Sequence, residues 1–234
     1  MTRDLFPSPN SRPTYWAGIC VLGVSSTKPF SIIPTGRGHI TLGPVVNNIS
    51  DISTGKGSSH SSNNFFIQQL VKTEDPTSTV VTPAELRKAQ LLKLVSNTII
   101  NPLTVIFNCK NAELLNHNAI HRLISTLIRE AGPVVRNLLP PQPYNAGYGV
   151  SAFSDEKLLE YVTMVIRKTG SNTSSMLQDV RNGKKTEIDY INGFIASQGK
   201  KMGLPCLNHG ILVDMIKEGQ GLKPEDIEDR FKLQ

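Results

Sequence analysis

Lys93, Asn97 and Asn101 recur at i, i+4 and i+8 in the segment Leu91-Leu92-Lys93-Leu94-Val95-Ser96-Asn97-Thr98-Ile99-Ile100-Asn101-Pro102-Leu103. On a helix these three side chains share one face, a turn apart. Most residues around them are apolar, so one ammonium and two carboxamides read as a polar stripe lining a cleft. Desolvation there would ready the ammonium to give up its proton near neutral pH, the task of a general acid. The plainer reading is a solvent-facing stripe on an amphipathic helix. That reading leaves two asparagines, poor helix formers, without a reason.

Other candidate chemistry is thinner. Gly36-Arg37-Gly38-His39-Ile40-Thr41-Leu42-Gly43 has the glycine content of a nucleotide turn. Its spacing is not GxGxxG, and it runs into a strand instead of opening a helix, so a hairpin turn is expected. A GxxxxGK[ST] phosphate loop is also missing from the sequence. Glu113, His117 and His121 stand four apart and would face one side of a helix as metal ligands. No HExxH motif or further ligand accompanies them, so a solvated face and no metal is the expectation. A Ser-His-Asp triad lacks its GxSxG elbow. Glu187 is expected in the first turn of a capped helix, where the macrodipole favours a carboxylate. Ser175, followed three residues later by Gln178, is expected to open a short helix.

The elements that must hold these residues divide near Thr82. Before it, Tyr15–Val24, Phe30–Ile33, His39–Gly43 and Ser78–Val81 read as strands punctuated by Gly, Pro and Ser, as in an antiparallel meander. Residues 44–62 are polar and read as a loop, and Asn64–Val71 reads as a short helix. Thr82-Pro83-Ala84-Glu85 is a capping box with proline at the first helical position. From there the chain reads as helix: to about Ile100, where Pro102 kinks or ends it; Glu113–Arg129, with Pro133 breaking the pattern; Asp155–Lys168; a short one from Ser175; Thr186 to about Met202; and Cys206–Glu218.

The totals set limits. The chain has 234 residues and a net charge of +6, enough for one or two domains. The basic pairs Lys184-Lys185 and Lys200-Lys201 are not interleaved with aromatic residues, so no nucleic acid is expected. An anionic small substrate or a phosphorylated cofactor fits the excess better. Three scattered cysteines, Cys20, Cys109 and Cys206, read as reduced thiols. No apolar run approaches the roughly 20 residues of a membrane span, and no secretory signal opens the chain. A cytoplasmic protein is expected, with a mitochondrial one as the alternative.

Three segments together resemble ketopantoate reductase (2-dehydropantoate 2-reductase). Lys93 to Thr104, continuing through Asn108-Cys109-Lys110-Asn111-Ala112-Glu113-Leu114, looks like the family's K-x-x-x-N-x-x-x-N-P-L-T helix and the turn after it. Ser174-Ser175-Met176-Leu177-Gln178-Asp179 with Lys185–Gly193 looks like its S-S-M-x-Q-D…T-E-I-D-x-x-N-G signature. Gly203-Leu204-Pro205-Cys206-Leu207-Asn208 fits the G-[IV]-P-x-x-N before its last helix. The resemblance covers about residues 82–220.

The resemblance implies an α+β chain. Residues 1–81 would be the remnant of an NADP-binding Rossmann domain, a partial β-meander with a polar loop at 44–62. Residues 82–234 would be an all-helical C-terminal domain of the 6-phosphogluconate dehydrogenase type. It implies NADPH-dependent reduction of ketopantoate to pantoate in pantothenate synthesis. Lys93 would be the general acid. Asn97, Asn101, Asn111 and Ser175 would bind the substrate, and Glu187 would sit at the cofactor–substrate junction. The partner implied is a small 2-oxo acid; a homodimer stays open. The family's opening strand, glycine-rich turn and helix for the NADPH phosphates have no counterpart, so about 100–130 residues of a typical member are expected to be missing. That puts NADP(H) binding by this chain, and its activity, in question. Two alternatives follow: a non-catalytic paralogue using the helical domain as an interaction module, and a reductase for another 2-oxo acid.

Overall fold

The computed structural model describes residues 2–8, 13–28, 30–34, 37–46, 64–139 and 150–233. Among them the chain forms two compact units, one within residues 2–90 and one from 91–139 and 150–233.

The first unit holds a short helix α1 (Thr2–Leu5), strands β1 (Trp16–Val21), β2 (Val24–Lys28), β3 (Ser31–Pro34) and β4 (His39–Pro44), helix α2 (Phe65–Val71) and strand β5 (Thr77–Val80). β1 pairs antiparallel with β4, from Trp16↔Pro44 to Val21↔His39, and β2 pairs antiparallel with β3. β4 and β5 run parallel, from His39↔Thr77 to Leu42↔Val80. The sheet order β1-β4-β5 corrects the antiparallel meander expected from the sequence. A parallel neighbour needs a crossover, and α2 lies in the connection. The glycine turn at Gly36 and the polar loop at 44–62 fall mostly outside the described residues. Within them, Gly38 N–H donates to Asp75 Oδ1 at 3.2 Å just before β4 begins.

The break between the units falls inside α3 (Pro83–Ile106). Its start is the reciprocal box read from the sequence. Thr82 N–H donates to Glu85 Oε2 at 2.9 Å, and Glu85 N–H donates to Thr82 Oγ1 at 3.3 Å.

The second unit continues with α4 (Asn118–Asn137), α5 (Asp155–Lys168), α6 (Ser175–Arg181), α7 (Ile188–Met202), α8 (Leu207–Lys217) and α9 (Ile227–Arg230). α4 is its central post. Ile120, Leu123, Ile124, Leu127, Ile128, Ala131, Val134 and Val135 fall at helical spacing and are all buried. They meet Val95, Ile99 and Leu103 of α3, Leu158, Val162 and Ile166 of α5, Ile195 of α7, Leu212 of α8 and Ile227 of α9 in one core. Each such buried aliphatic side chain contributes about 1.5–3 kcal/mol of transfer free energy.

Three boundaries differ from the sequence reading. α3 runs through Pro102 to Ile106, and α4 runs through Pro133 to Asn137. α4 also starts at Asn118, not Glu113, because Asn111–Leu115 forms a separate 3-10 turn. Proline removes the N–H that would bond the carbonyl four residues back, which for Pro102 is Thr98. That carbonyl is not orphaned: Asn192 Nδ2, on α7, donates to it at 2.9 Å.

α7 and α8 form a tight hairpin. Gly203 ends α7 in the left-handed region at φ 68°, and Leu204 N–H closes back on Gly199 O at 2.9 Å. Gly199 permits the close approach: a Cβ there would lie 2.5 Å from Cys206 Sγ and 2.9 Å from Leu204 O. The Glu130 carboxylate of α4 then caps α8, accepting from Asn208 N–H at 3.0 Å, Asn208 Nδ2 at 2.8 Å and His209 N–H at 3.1 Å. Burial pushes the Glu130 carboxyl above its ordinary range, and the bonds from Asn208 and His209 pull it back. Asn208 also pairs with the chain end: Lys232 N–H donates to its Oδ1 at 2.8 Å, and its Nδ2 donates to Lys232 O at 3.1 Å.

Candidate functional site

All six candidate residues lie in the second unit. The row on α3 is graded: Lys93 is exposed, Asn97 half-buried and Asn101 buried at 7% exposure. The greasy surroundings expected for Lys93 are not found around its side chain. The apolar residues of the segment, Val95, Ile99 and Leu103, turn into the core at 0% exposure. A helix spaced 3.6 residues to the turn sends the intervening residues to another face, so apolar neighbours in sequence are not neighbours in space.

Asn101 is tied to the Ser175 turn. Thr104 Oγ1 donates to Asn101 O at 2.8 Å and lies 2.6 Å from Ser174 Oγ, with both hydroxyls buried. Ser174, not Ser175, is the N-cap of α6 and accepts from Leu177 N–H at 3.1 Å. Ser175 is the exposed first residue of the helix. The sequence placed the cap one residue late because two serines stand side by side, and only packing decides which turns inward.

Asn111 opens the 3-10 turn and is buried at 5% exposure. Its N–H donates to Asn172 O at 3.1 Å and its Nδ2 to Thr169 Oγ1 at 2.8 Å. Its Oδ1 is buried with no hydrogen-bond partner among the described residues. A buried carboxamide oxygen left unpaired is costly in a dry core and is what a substrate hydroxyl or amide would satisfy.

Glu187 is the N-cap residue of α7, not a member of its first turn as expected. It is exposed, and its side chain makes no capping bond. Its backbone carbonyl accepts from Tyr190 N–H at 2.9 Å and Ile191 N–H at 3.2 Å, so the main chain opens the helix and the carboxylate is not spent on it.

Other chemistry recedes. Glu113 lies in the 3-10 turn with its Oε2 accepting from Lys110 N–H at 2.6 Å, and His117 is the N-cap of α4. Among the described residues no three His, Cys, Asp or Glu side chains gather to hold a metal. Burial, reinforced by Glu113 and Glu130 respectively, pushes the Cys109 and Cys206 thiols up to about 11, so neither is a ready nucleophile. Among the described residues no helix is long and apolar enough to cross a membrane. The sequence reading quoted Thr104, Ser174 and Asn192 only inside motifs, without a role of their own, and passed over His209. The signal for Asn192 was present: a proline inside a helical pattern requires a donor for the carbonyl four residues back.

Known proteins resemble this chain in sequence and fold. The chain is 39% identical to 2-dehydropantoate 2-reductase from Escherichia coli O157:H7 over 125 residues, covering 53% of this chain and 37% of that one. It is 28% identical to ketoisovalerate reductase from Beauveria bassiana over 254 aligned positions, covering 94% of this chain and 55% of that one. The fold matches the crystal structure of a probable 2-dehydropantoate 2-reductase from Bacillus subtilis with a TM-score of 0.65 at 24% identity, covering 93% of this chain and 65% of that one. The chain thus spans less than two thirds of the length of each. That fold is a partial Rossmann sheet followed by a helical C-terminal domain. Residues 85–220, more than half of the chain and the whole of the polar row with its supports, match the family described as ketopantoate reductase PanE/ApbA C terminal, and the chain belongs to that family.

Proposed function

We propose that this chain carries the substrate-binding and proton-donating half of a reductase that converts a 2-oxo acid, ketopantoate first, to the 2-hydroxy acid at the expense of NADPH. The graded polar row on α3 carries the reading: an exposed ammonium at Lys93 above carboxamides that sink into the core at Asn97 and Asn101. Lys93 delivers the proton to the oxo oxygen, where negative charge develops on reduction. Asn97 and Asn101 hold the polar groups of the acid. Ser175 adds a hydroxyl from the α6 turn, and Asn111 offers its unpaired buried Oδ1 to a substrate donor. Glu187 stands at the edge where the cofactor would meet the acid.

NADPH would supply the hydride, but the described residues offer its phosphates no cradle. The N-terminus of α2, the helix after β4, is closed by its own Asn64 side chain, which accepts from Ile67 N–H at 3.2 Å. No step is therefore assigned to cofactor contacts in this chain.

A second substrate is favoured by the ketoisovalerate reductase match. Ketoisovalerate lacks the hydroxyl of ketopantoate, so it leaves a buried acceptor such as Asn111 Oδ1 unpaired. A site built for that hydroxyl discriminates against it strongly. Saturation-transfer NMR on the full chain with pantoate and with 2-hydroxyisovalerate tests both readings. Saturable binding of pantoate that is lost in Asn101→Ala supports the first, and preference for 2-hydroxyisovalerate supports the second. Binding of neither overturns the substrate-site reading.

A further inference from the structure

We propose that Asn192 stands in for the amide that Pro102 removes from α3, and that His209 fixes Asn192 in the orientation this requires. Asn192 is then a positioning residue for the Asn97–Asn101 turn. The gap is specific. The missing N–H at Pro102 belongs to the bond that would close on Thr98 O, and Thr98 lies between the two asparagines of the row. Proline also crowds that carbonyl outward. Asn192, at 0% exposure, meets it with Nδ2 at 2.9 Å.

The orientation of the amide follows from its neighbours. His209, also at 0% exposure, sets Nε2 3.0 Å from Leu127 O and Nδ1 3.0 Å from Asn192 Nδ2. A carbonyl only accepts, so Nε2 carries the hydrogen. In the neutral ring Nδ1 is then the acceptor, and Asn192 must donate to it. The two hydrogens of Nδ2 thus go to Thr98 O and His209 Nδ1. A flipped amide would set Oδ1 against Thr98 O and against the lone pair of Nδ1, leaving both without a donor. The unpaired atom in the arrangement is Asn192 Oδ1, buried with no partner among the described residues. A side chain present for its volume alone would be better replaced by leucine, which buries no orphaned oxygen. The donor end is what the fold uses. One chain of bonds therefore joins α3, α7, α8 and α4 at the turn that carries the row.

What Asn192 positions rests on the reading of Asn97 and Asn101 as substrate-facing; the anchoring does not, and neither arm of the test involves substrate. The first arm is a double-mutant cycle in the full chain, read by urea unfolding. Asn192→Leu is expected to raise the unfolding equilibrium constant by about tenfold or more in the parent, the effect of stranding two buried acceptors, Thr98 O and His209 Nδ1. In a Pro102→Ala background the backbone regains an N–H at position 102 that can bond Thr98 O. There Thr98 O keeps a donor and only His209 Nδ1 is stranded, so the same change should raise the constant by at least about threefold less than in the parent. The second arm reads the His209 ring by ¹⁵N NMR at neutral pH. Nδ1 should resonate as a hydrogen-bonded imine in the parent and as a free imine in Asn192→Leu, a signature that loss of packing alone does not produce. Equal effects of Asn192→Leu in both backgrounds overturn the substitute-amide role. An unmoved Nδ1 resonance overturns the role of His209. If Asn192→Leu does not fold, Pro102→Ala alone decides. Its new amide competes for Thr98 O, so the protected side-chain amide protons of Asn192 should exchange faster, and unchanged exchange overturns the proposal.

Discussion

Thr104 Oγ1 and Ser174 Oγ lie 2.6 Å apart across 70 residues of sequence, and the bond between them has one direction. Thr104 gives its hydrogen to Asn101 O, and Ser174 Oγ receives one from Leu177 N–H. Ser174 must therefore donate to Thr104. The relay locks the first turn of α6, where Ser175 sits, to the turn of α3 where Asn101 sits.

Thr104→Val removes both the acceptor and the donor from that relay while keeping the side-chain volume. It strands the Ser174 hydroxyl in a buried place, so stability should fall by about 1–3 kcal/mol in urea unfolding. Thr104→Ser keeps the hydroxyl and loses one methyl group, so it should cost about 1 kcal/mol. A valine variant as stable as the serine variant would show the relay to be weightless.

His209 gives a pH dependence with a definite sign. Burial lowers its pKa to about 4 in the folded chain, against 6.5 for the free side chain, and the bond to Leu127 O opposes the shift. The unfolded chain therefore takes up a proton first as pH falls. The stability contributed by neutral His209 is full above about pH 6.5 and is lost progressively toward pH 4, up to roughly 3 kcal/mol. Glu130, which accepts from the His209 amide, acts in the opposite direction. Its raised carboxyl lets the folded chain bind a proton first, offsetting part of the loss at the acid end. Urea unfolding at a series of pH values from about 7 to about 4.5 should show declining stability, and the decline should shrink in His209→Gln.

Much of this was legible in the residues, and the misses share a cause. The Thr82 box is local, four residues bonding among themselves, and its bonds are as the sequence implied. The polar row at Lys93, Asn97 and Asn101 needs only helical periodicity. Pro102, read as kinking or ending its helix, and Pro133, read as breaking the pattern, both lie inside helices that run on. For Pro102 the cost is offset by a partner far away in sequence, since Asn192 is 94 residues beyond Thr98. Ser175 and Glu187 were assigned to the wrong capping positions by one residue, since propensity does not say which of two adjacent residues turns inward. The parallel pairing of β4 and β5 depends on a crossover and has no local signature.

Gly199→Ala should destabilise the α7–α8 hairpin. The new methyl would stand 2.5 Å from Cys206 Sγ and 2.9 Å from the Leu204 carbonyl. The sulfur can shift and the backbone oxygen cannot without moving the turn, so a loss of about 1–3 kcal/mol is expected in thermal or urea unfolding. A neutral result would mean that the hairpin yields more easily than its packing implies.

The chain by itself should bind NADPH more weakly than the low micromolar range of a working cofactor site, since its described residues form no phosphate cradle. Isothermal titration of the full chain checks this. Low-micromolar binding would require a phosphate site outside the described residues and would return the hydride step to this chain.

Lys93→Ala separates chemistry from structure. Lys93 is exposed on α3, so its loss should change stability by no more than about 0.5 kcal/mol. In a form that carries a complete cofactor domain, loss of the general acid should lower kcat by roughly 10²–10⁴-fold. Asn101→Ala should behave differently. It is buried beside the Thr104 relay, so it should lower stability, weaken substrate binding and slow turnover together. Glu187→Ala should raise KM more than it lowers kcat and leave folding intact, because the carboxylate makes no capping bond. Steady-state kinetics with ketopantoate, set beside urea unfolding of the same variants, resolves the three patterns. A Lys93→Ala enzyme within about threefold of its parent in kcat/KM, far short of what loss of a general acid costs, would refute the proton-donor assignment and reduce the row to a solvated helix face.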